Sequence, residues 1–337
     1  MKLLVVILNY RVTDLTIECL KSIVPEIPRV SGVKVAVCEN GTGGDAEQRL
    51  REAIAVNGWG PWVELTAISP NRGFTGGNNV IIRKAMESPD RPEYFLLLNA
   101  DTLIRPGAFE FLVRFMDSHP QVGIAGSRIE SPDGSPHGSP FRFPGIATEL
   151  DRGLRLGIVS KLLPRWAITL PKTRDACQAD WVGGTSMIIR REVIEAIGPL
   201  DEGLYTYFDD IDYCLNAKRA GWPTWFVPES KVMHLEGAST GITAKNQKRP
   251  DYWFQARRRF FLKNHGALYA ALADAVFLIG FALWRLRRRI QRMPDTDPPH
   301  MLMDSLRNSV FMTGFRVREV ENPALRGLAR PPKSIAP

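Results

Sequence analysis

The 337-residue chain carries 44 Lys+Arg against 36 Asp+Glu, a formal net charge of +8, and is 44% hydrophobic and 24% charged, a composition that suits one large or two ordinary globular domains with a sizeable core. The excess charge is local: residues 257–292 hold nine cations (Arg257, Arg258, Arg259, Lys263, Arg285, Arg287, Arg288, Arg289, Arg292) and one acid, Asp274, while the other 301 residues balance at 35 of each sign. A protein that coats nucleic acid needs its cations across the binding domain itself, so that class is disfavoured. Cys19, Cys38, Cys177 and Cys214 lie far apart, with neither the spacing of a zinc site nor that of a disulfide framework, which fits a reducing, cytosolic setting.

Short apolar runs alternate with helix-length stretches, which predicts an α/β domain with a mostly parallel sheet and flanking helices. Leu3–Leu8 is too short for a signal-peptide core and reads as a first buried strand; a helix over Leu15–Ile23 follows, with Thr13 and Asp14 as caps. Val33–Cys38 is a strand closed by the turn Glu39-Asn40-Gly41, and Val63–Ile68 is another. Residues 71–79 are Gly-rich, a helix runs from about Asn78 to Met86, and the strand Tyr94–Leu98 ends at Asn99-Ala100-Asp101. After a strand over Val122–Arg128, Ser131–Pro144 reads as a long loop, and Ile146–Asp175 carries no clear pattern. The signal returns with Trp181-Val182-Gly183-Gly184, a strand to Ile189, a helix over Arg191–Ile197 and the acidic Tyr205–Asp212. A last strand, Trp225–Met233, ends at His234 and is followed by Glu236-Gly237; Arg330–Pro337 is a proline-rich loose tail. Ligands of open α/β sheets bind beyond the carboxyl ends of the strands, where these polar candidates repeatedly fall.

Each candidate has a chemical and a structural reading. Asp101 follows an apolar strand directly, as a carboxylate holding a hard cation against a diphosphate would, or as a cap of the helix starting near Pro106. Asn71-Arg72-Gly73-Phe74-Thr75-Gly76-Gly77-Asn78-Asn79 permits close backbone approach to an anionic ligand, or is a glycine turn. It matches neither the dinucleotide nor the P-loop fingerprint. Asp209, Asp210 and Asp212 beside aromatic residues form a cluster that is costly without a base or ligand role, although acids also favour a helix N-terminus. His234 is a ligand only if partners meet it.

Taken in order, these segments resemble family 2 glycosyltransferases of the GT-A fold, especially bacterial rhamnosyltransferase-like members. The matches are Val6-Ile7-Leu8-Asn9-Tyr10, Glu39-Asn40-Gly41, Asn71-Arg72-Gly73-Phe74 through Asn78-Asn79, Leu97-Leu98-Asn99-Ala100-Asp101, Trp181-Val182-Gly183-Gly184, Phe208-Asp209-Asp210-Ile211-Asp212 and His234. The resemblance spans about Met1 to Gly241. It implies transfer of a sugar, by resemblance rhamnose, from a nucleotide diphosphate sugar to a hydroxyl of a glycan or polyprenyl-linked acceptor, with inversion and with Mg²⁺ or Mn²⁺. By position, Asn9, Glu39, Asn71 and Arg72 would surround base and ribose, with Gly73, Asn79 and Asn99 in the same donor site. Asp101 and His234 would be metal ligands, Asp210 the general base beside Asp209, and Gly183 and Gly184 would line the sugar and acceptor pocket. Asn99, Glu39 and Asp209 stand where the family usually has Asp, Asp and Glu.

The basic window encloses Ala267–Trp284, eighteen residues with only Asp274 charged. As a helix of about 27 Å it barely spans a hydrocarbon core, and cations flank both ends. It reads as a helix lying in the inner leaflet, its arginines on anionic headgroups, with a core helix or dimer interface as the alternative. The expected layout is a GT-A domain over residues 1–245, a helical membrane-association segment over 246–320 and a tail over 321–337, in a cytoplasmic protein peripheral to the membrane. Two other functions stay open in sequence: a sugar nucleotidyltransferase, and a non-catalytic sugar or lipid-carrier binding protein on a transferase fold.

Overall fold

The computed structural model describes residues 1–136, 140–156, 169–170, 173–235 and 247–325. Glu236-Gly237, the last few residues of the family resemblance and the proline-rich tail lie outside the described residues. The parallel half of the sheet is β1 (Leu3–Asn9), β2 (Val33–Asn40), β3 (Val63–Ile68) and β4 (Tyr94–Asn99), in the order β3-β2-β1-β4. Successive side chains of β1 enter opposite cores. Leu3, Val5 and Ile7 pack with α1 (Thr13–Ile23), α2 (Ala46–Val56) and α4 (Ala108–Ser118), while Leu4 and Val6 pack with α3 (Gly73–Glu87). Burial on both faces is why the strand reads as one unbroken apolar run.

The expected parallel sheet is present in this half, and beyond β4 antiparallel strands join it and make the whole sheet mixed. β8 (Ser186–Arg190) is antiparallel to β4 and to β6 (Ile124–Glu130); β9 (Thr224–His234) is parallel to β6; and β5 (Thr102–Ile104) and β7 (Cys177–Ala179) pair antiparallel with β9. These partners are distant in sequence, so no local signal gives their direction.

The Gly-rich segment forms the first turns of α3, where sequence places a turn ahead of the helix. A Cβ at Gly77 would sit 2.3 Å from Leu8 Cδ1 and 3.1 Å from Asn40 Nδ2, so glycine there lets the helix lie against the ends of β1 and β2. The start of α4 is held by the buried Glu26 carboxylate, which accepts from Gly107 N at 2.7 Å and Phe109 N at 3.0 Å. Asp101 therefore does not cap it.

The patternless stretch contains α5 (Ile146–Leu154), which lies along α8 (Asp251–Ile290). Between them come α6 (Arg191–Ile197) and α7 (Asp209–Arg219), and α9 (Met301–Arg307) and α10 (Val310–Thr313) follow. α8 breaks at Gly266, whose φ is 83°. Its first half shares a core with Leu204, Phe208, Ile211 and Leu215.

In its second half Asp274 is buried in an ion pair with the equally buried Arg257, and it accepts from Val310 N at 2.8 Å. The cation cluster opening the basic window is likewise consumed within the protein. Arg257 also pairs with Glu149 at 2.8 Å, Arg259 with Asp201 at 3.0 Å, and Lys263 with Asp201 and Asp212 at 2.8 and 2.7 Å. Arg285, Arg289 and Arg292, at the far end, are exposed.

Candidate active site

A cavity of about 540 Å³ opens at the carboxyl ends of β1, β2 and β4 and is closed by the β8 approach, the start of α7 and the start of α8. Of the residues singled out in sequence, Asn71, Gly73, Asn99, Asp101, Gly184, Asp209, Asp210 and His234 line it. Asp101 leaves the end of β4, and His234 ends β9, which pairs with β5 in the register Thr102–His234. That pairing brings His234 Nε2 to 3.1 Å from Asp101 Oδ1 and 3.5 Å from Asn99 Nδ2. A carboxylate and an imidazole at the sheet edge suit a divalent cation that takes its remaining ligands from water and a diphosphate. Among the described residues no group of three or more His, Cys, Asp or Glu side chains gathers as a metal site. Among the described residues, the side chains placed for such a cation are these two.

Asp209 and Asp210 open α7 directly after two residues in the left-handed region, Tyr207 at φ 68° and Phe208 at φ 61°. Bulky side chains pay a steric penalty there, and strain of this kind collects at functional sites. The turn aims Asp210 into the cavity, where Oδ2 accepts from Gly184 N at 3.2 Å and Oδ1 from Ile211 N at 2.8 Å. Burial pushes the Asp210 carboxyl up to about 6, the two N–H donors limiting the rise. Burial, and then the adjacent Asp210, holds Asp209 well above the usual carboxylate range. Asp210 is thus a carboxylate whose proton affinity is raised by burial and whose direction is fixed by two backbone N–H groups.

Asn9, Glu39, Arg72, Asn79 and Gly183 are not on the cavity wall. Asn9 ties α1 to β1, accepting from Thr16 Oγ1 at 2.8 Å. Glu39 closes its own turn, accepting from Thr42 N at 2.7 Å and Gly41 N at 3.1 Å. The Arg72 side chain is exposed at the start of α3. Asn79 grips Leu200 through both its N–H and C=O, at 2.8 and 3.0 Å. Asn9, Glu39 and Asn79 thus belong to the frame behind the wall. Asn40, which sequence reads only as a turn letter, is on the wall and organises it: its amide donates to Gly73 O at 3.0 Å and Asn71 Oδ1 at 3.2 Å and accepts from Arg72 N at 2.9 Å.

An aromatic wall, also unread in sequence, comes from Phe74, Trp181, Tyr205, Tyr207, Tyr252 and Trp253, joined by Glu149 and Arg152 of α5. Its available signal is the aromatic density of Tyr205–Phe208 and Tyr252–Phe254. Tyr252 and Trp253 lie on α8, so residues on both sides of position 245 build one cavity.

The family described as Glycosyltransferase like family 2 matches residues 2–252, and the chain belongs to it. Among its relatives is the N-acetylglucosaminyl-diphospho-decaprenol L-rhamnosyltransferase of Mycobacterium tuberculosis H37Rv, 26% identical over 253 residues, covering 68% of this chain and 80% of that one. Another is the dTDP-rhamnosyl transferase RfbF of Shigella flexneri, 25% identical over 221 residues, covering 64% and 68%. Similar solved structures include GalNAc-T7 with UDP, GalNAc and Mn²⁺, with a TM-score of 0.58 at 14% identity, covering 91% of this chain and about half, 54%, of that one. The mannosyltransferase PcManGT from Pyrobaculum calidifontis, with GDP-Man and Mn²⁺, has a TM-score of 0.53 at 14% identity, covering 93% and 83%. At that identity the structures establish the fold, which is GT-A, and the family makes the chain a glycosyltransferase.

Proposed function

We propose that the chain transfers a sugar, rhamnose by analogy with its relatives, from a nucleotide diphosphate sugar to a hydroxyl of a polyprenyl-linked glycan acceptor in cell-surface polysaccharide synthesis, with inversion at the anomeric carbon. The observation that carries the reading is the meeting, in one cavity at the strand ends, of the Asp101–His234 pair with a separate, proton-exchanging Asp210.

Asp210 accepts the proton of the acceptor hydroxyl as that oxygen attacks the anomeric carbon opposite the departing diphosphate. Hydrogen bonds from Gly184 N and Ile211 N fix the direction of the carboxylate. The aromatic wall excludes water and offers faces on which sugar rings stack. Asp101 and His234 would hold Mg²⁺ or Mn²⁺, which when bound neutralises the diphosphate and stabilises the leaving group. Inversion needs one base and no carboxylate nucleophile.

A membrane location fits the second half of α8. Leu268, Leu272, Ile279, Leu283, Leu286 and Ile290 form an exposed apolar stripe with Arg285, Arg289 and Arg292 at its end. Although α8 has the length and hydropathy to cross a membrane, one face, including Ala270, Ala273, Asp274, Phe277 and Phe281, is buried in the protein. The helix therefore rests on the cytoplasmic leaflet with the stripe in acyl chains.

The test is a panel of nucleotide sugars with and without Mn²⁺, read by melting temperature, followed by transfer to a polyprenyl diphosphate-linked sugar with the product's anomeric configuration read by NMR. The reading expects one donor, dTDP-rhamnose foremost, to raise the melting temperature in a Mn²⁺-dependent way and to yield an inverted product. Release of pyrophosphate, or a retained configuration, would contradict it.

A further inference from the structure

Beside the cavity, α5 and the start of α8 gather more guanidinium charge than carboxylate. Arg152 donates to Glu149 Oε2 at 2.8 Å, but Glu149 is shared with Arg257, which also takes Asp274. No ion pair forms at Arg249 among the described residues. Arg152 and Arg249 lie over the same Trp253 ring, 5.3 and 4.8 Å from its centroid, so their charges are within about 10 Å of each other. The Nε of each is buried with no hydrogen-bond partner. Three guanidiniums thus face two carboxylates, and two buried N–H groups are left without acceptors, the converse of how buried cations are normally satisfied. Burial, followed by the charges around it, lowers Arg152 to about 10 despite Glu149, and Arg249 is lowered by its burial too. An anion would relieve both.

We propose that Arg152 and Arg249, set over Trp253, form a diphosphate subsite for the carrier phosphates of a lipid-linked acceptor. The subsite rests on the transferase reading above and extends it by naming what holds the acceptor. Planar guanidiniums suit phosphate oxygens in a bidentate fork, and both lie over the Trp253 ring. The position is apt: Arg152 and Trp253 line the cavity next to the Asp209–Asp210 wall, whereas Asp101 and His234 come from the sheet edge. Trp253 begins the helix whose later turns carry the apolar stripe starting at Leu268. One acceptor can therefore place its sugar in the cavity, its phosphates on the arginines and its hydrocarbon along α8.

The test measures binding by calorimetry in EDTA, which silences metal-dependent diphosphate binding at Asp101. The probes are farnesyl diphosphate, inorganic pyrophosphate and farnesol, and the proteins are the full chain and Arg249→Gln and Arg249→Lys, each checked for an unchanged melting temperature. Arg249 is partly buried, and the melting-temperature check separates a lost contact from a lost fold. The expected result is that farnesyl diphosphate binds more tightly than pyrophosphate, that Arg249→Gln weakens it at least tenfold, that Arg249→Lys recovers part of the loss, and that farnesol is indifferent to both. The proposal is overturned by no binding of farnesyl diphosphate, by an affinity independent of Arg249, or by an equal loss for farnesol. Pyrophosphate binding as tightly as farnesyl diphosphate assigns the site to free phosphate and overturns the acceptor role. Glycosyl transfer is scored separately: Arg249-dependent binding without transfer from any nucleotide sugar defeats the transferase reading alone, and transfer with Arg249-independent binding defeats the subsite alone.

Discussion

In the proposed reaction Asp210 is the base, and burial raises its carboxyl to about 6. As a base it must be ionised, so kcat/KM is expected to fall about tenfold per pH unit below about 6, and a flat profile between pH 5 and 7 would deny it that role. The same shift acts on stability. A carboxyl whose folded pKa exceeds its unfolded one favours folding while protonated, and this contribution is lost as pH rises through about 6. Asp210→Asn, which cannot ionise, is expected to melt a few degrees above the parent at pH 8 and to show a smaller gain at pH 5. An equal melting temperature at both values would mean that the carboxylate is not desolvated. The left-handed backbone at Tyr207 and Phe208 is part of the same device, since it turns the first residues of α7 toward the cavity.

Among the elements, α3 shows how close packing builds the cavity wall at the ends of β1 and β2. Gly77→Ala would drive a methyl into Leu8 and Asn40 and is expected to cost about 1–3 kcal/mol, read as a lower denaturant midpoint; an unchanged midpoint would show that α3 has room to retreat. Sequence carries much of this architecture. The β1, β4 and α6 spans are legible because a doubly buried strand is an unbroken apolar run and a short helix shows its apolar face. α2 is silent, since of its eleven residues only Ala46 and Leu50 are buried. The start of α3 is misplaced because glycine ordinarily breaks helices, and only the tertiary contact with β1 explains it there. At the site, motif positions at strand ends locate Asp101, His234 and Asp210. Local sequence does not separate a wall residue such as Asn40 from a neighbour such as Glu39 that closes a turn. The aromatic wall and Arg152 are assembled by α5 and α8, whose meeting is a long-range event.

For the whole molecule, the basic window divides. Its first part is the interior ion-pair system Glu149–Arg257–Asp274, which locks α5, α8 and α10 together. Asp274→Ala leaves a buried cation with one shared carboxylate and is expected to cost about 3–5 kcal/mol in urea unfolding, whereas a cost near zero would show that the pair is solvated. The second part is the exposed stripe and Arg285, Arg289 and Arg292. Leu283→Glu with Ile279→Glu is expected to abolish sedimentation with phosphatidylglycerol vesicles without lowering the melting temperature, and undiminished sedimentation would remove the stripe from the account. The C-terminal segment returns to the donor side, where Asn322 Nδ2 donates to Asn71 O at 2.7 Å, so the helical end and the catalytic body form a single unit. The most direct test of the whole account is glycosyl transfer by Asp210→Asn measured alongside nucleotide-sugar affinity. The expected result is that kcat falls by about a thousandfold or more while the donor Kd stays within about threefold. Retained turnover, or donor affinity lost in step with rate, would contradict it.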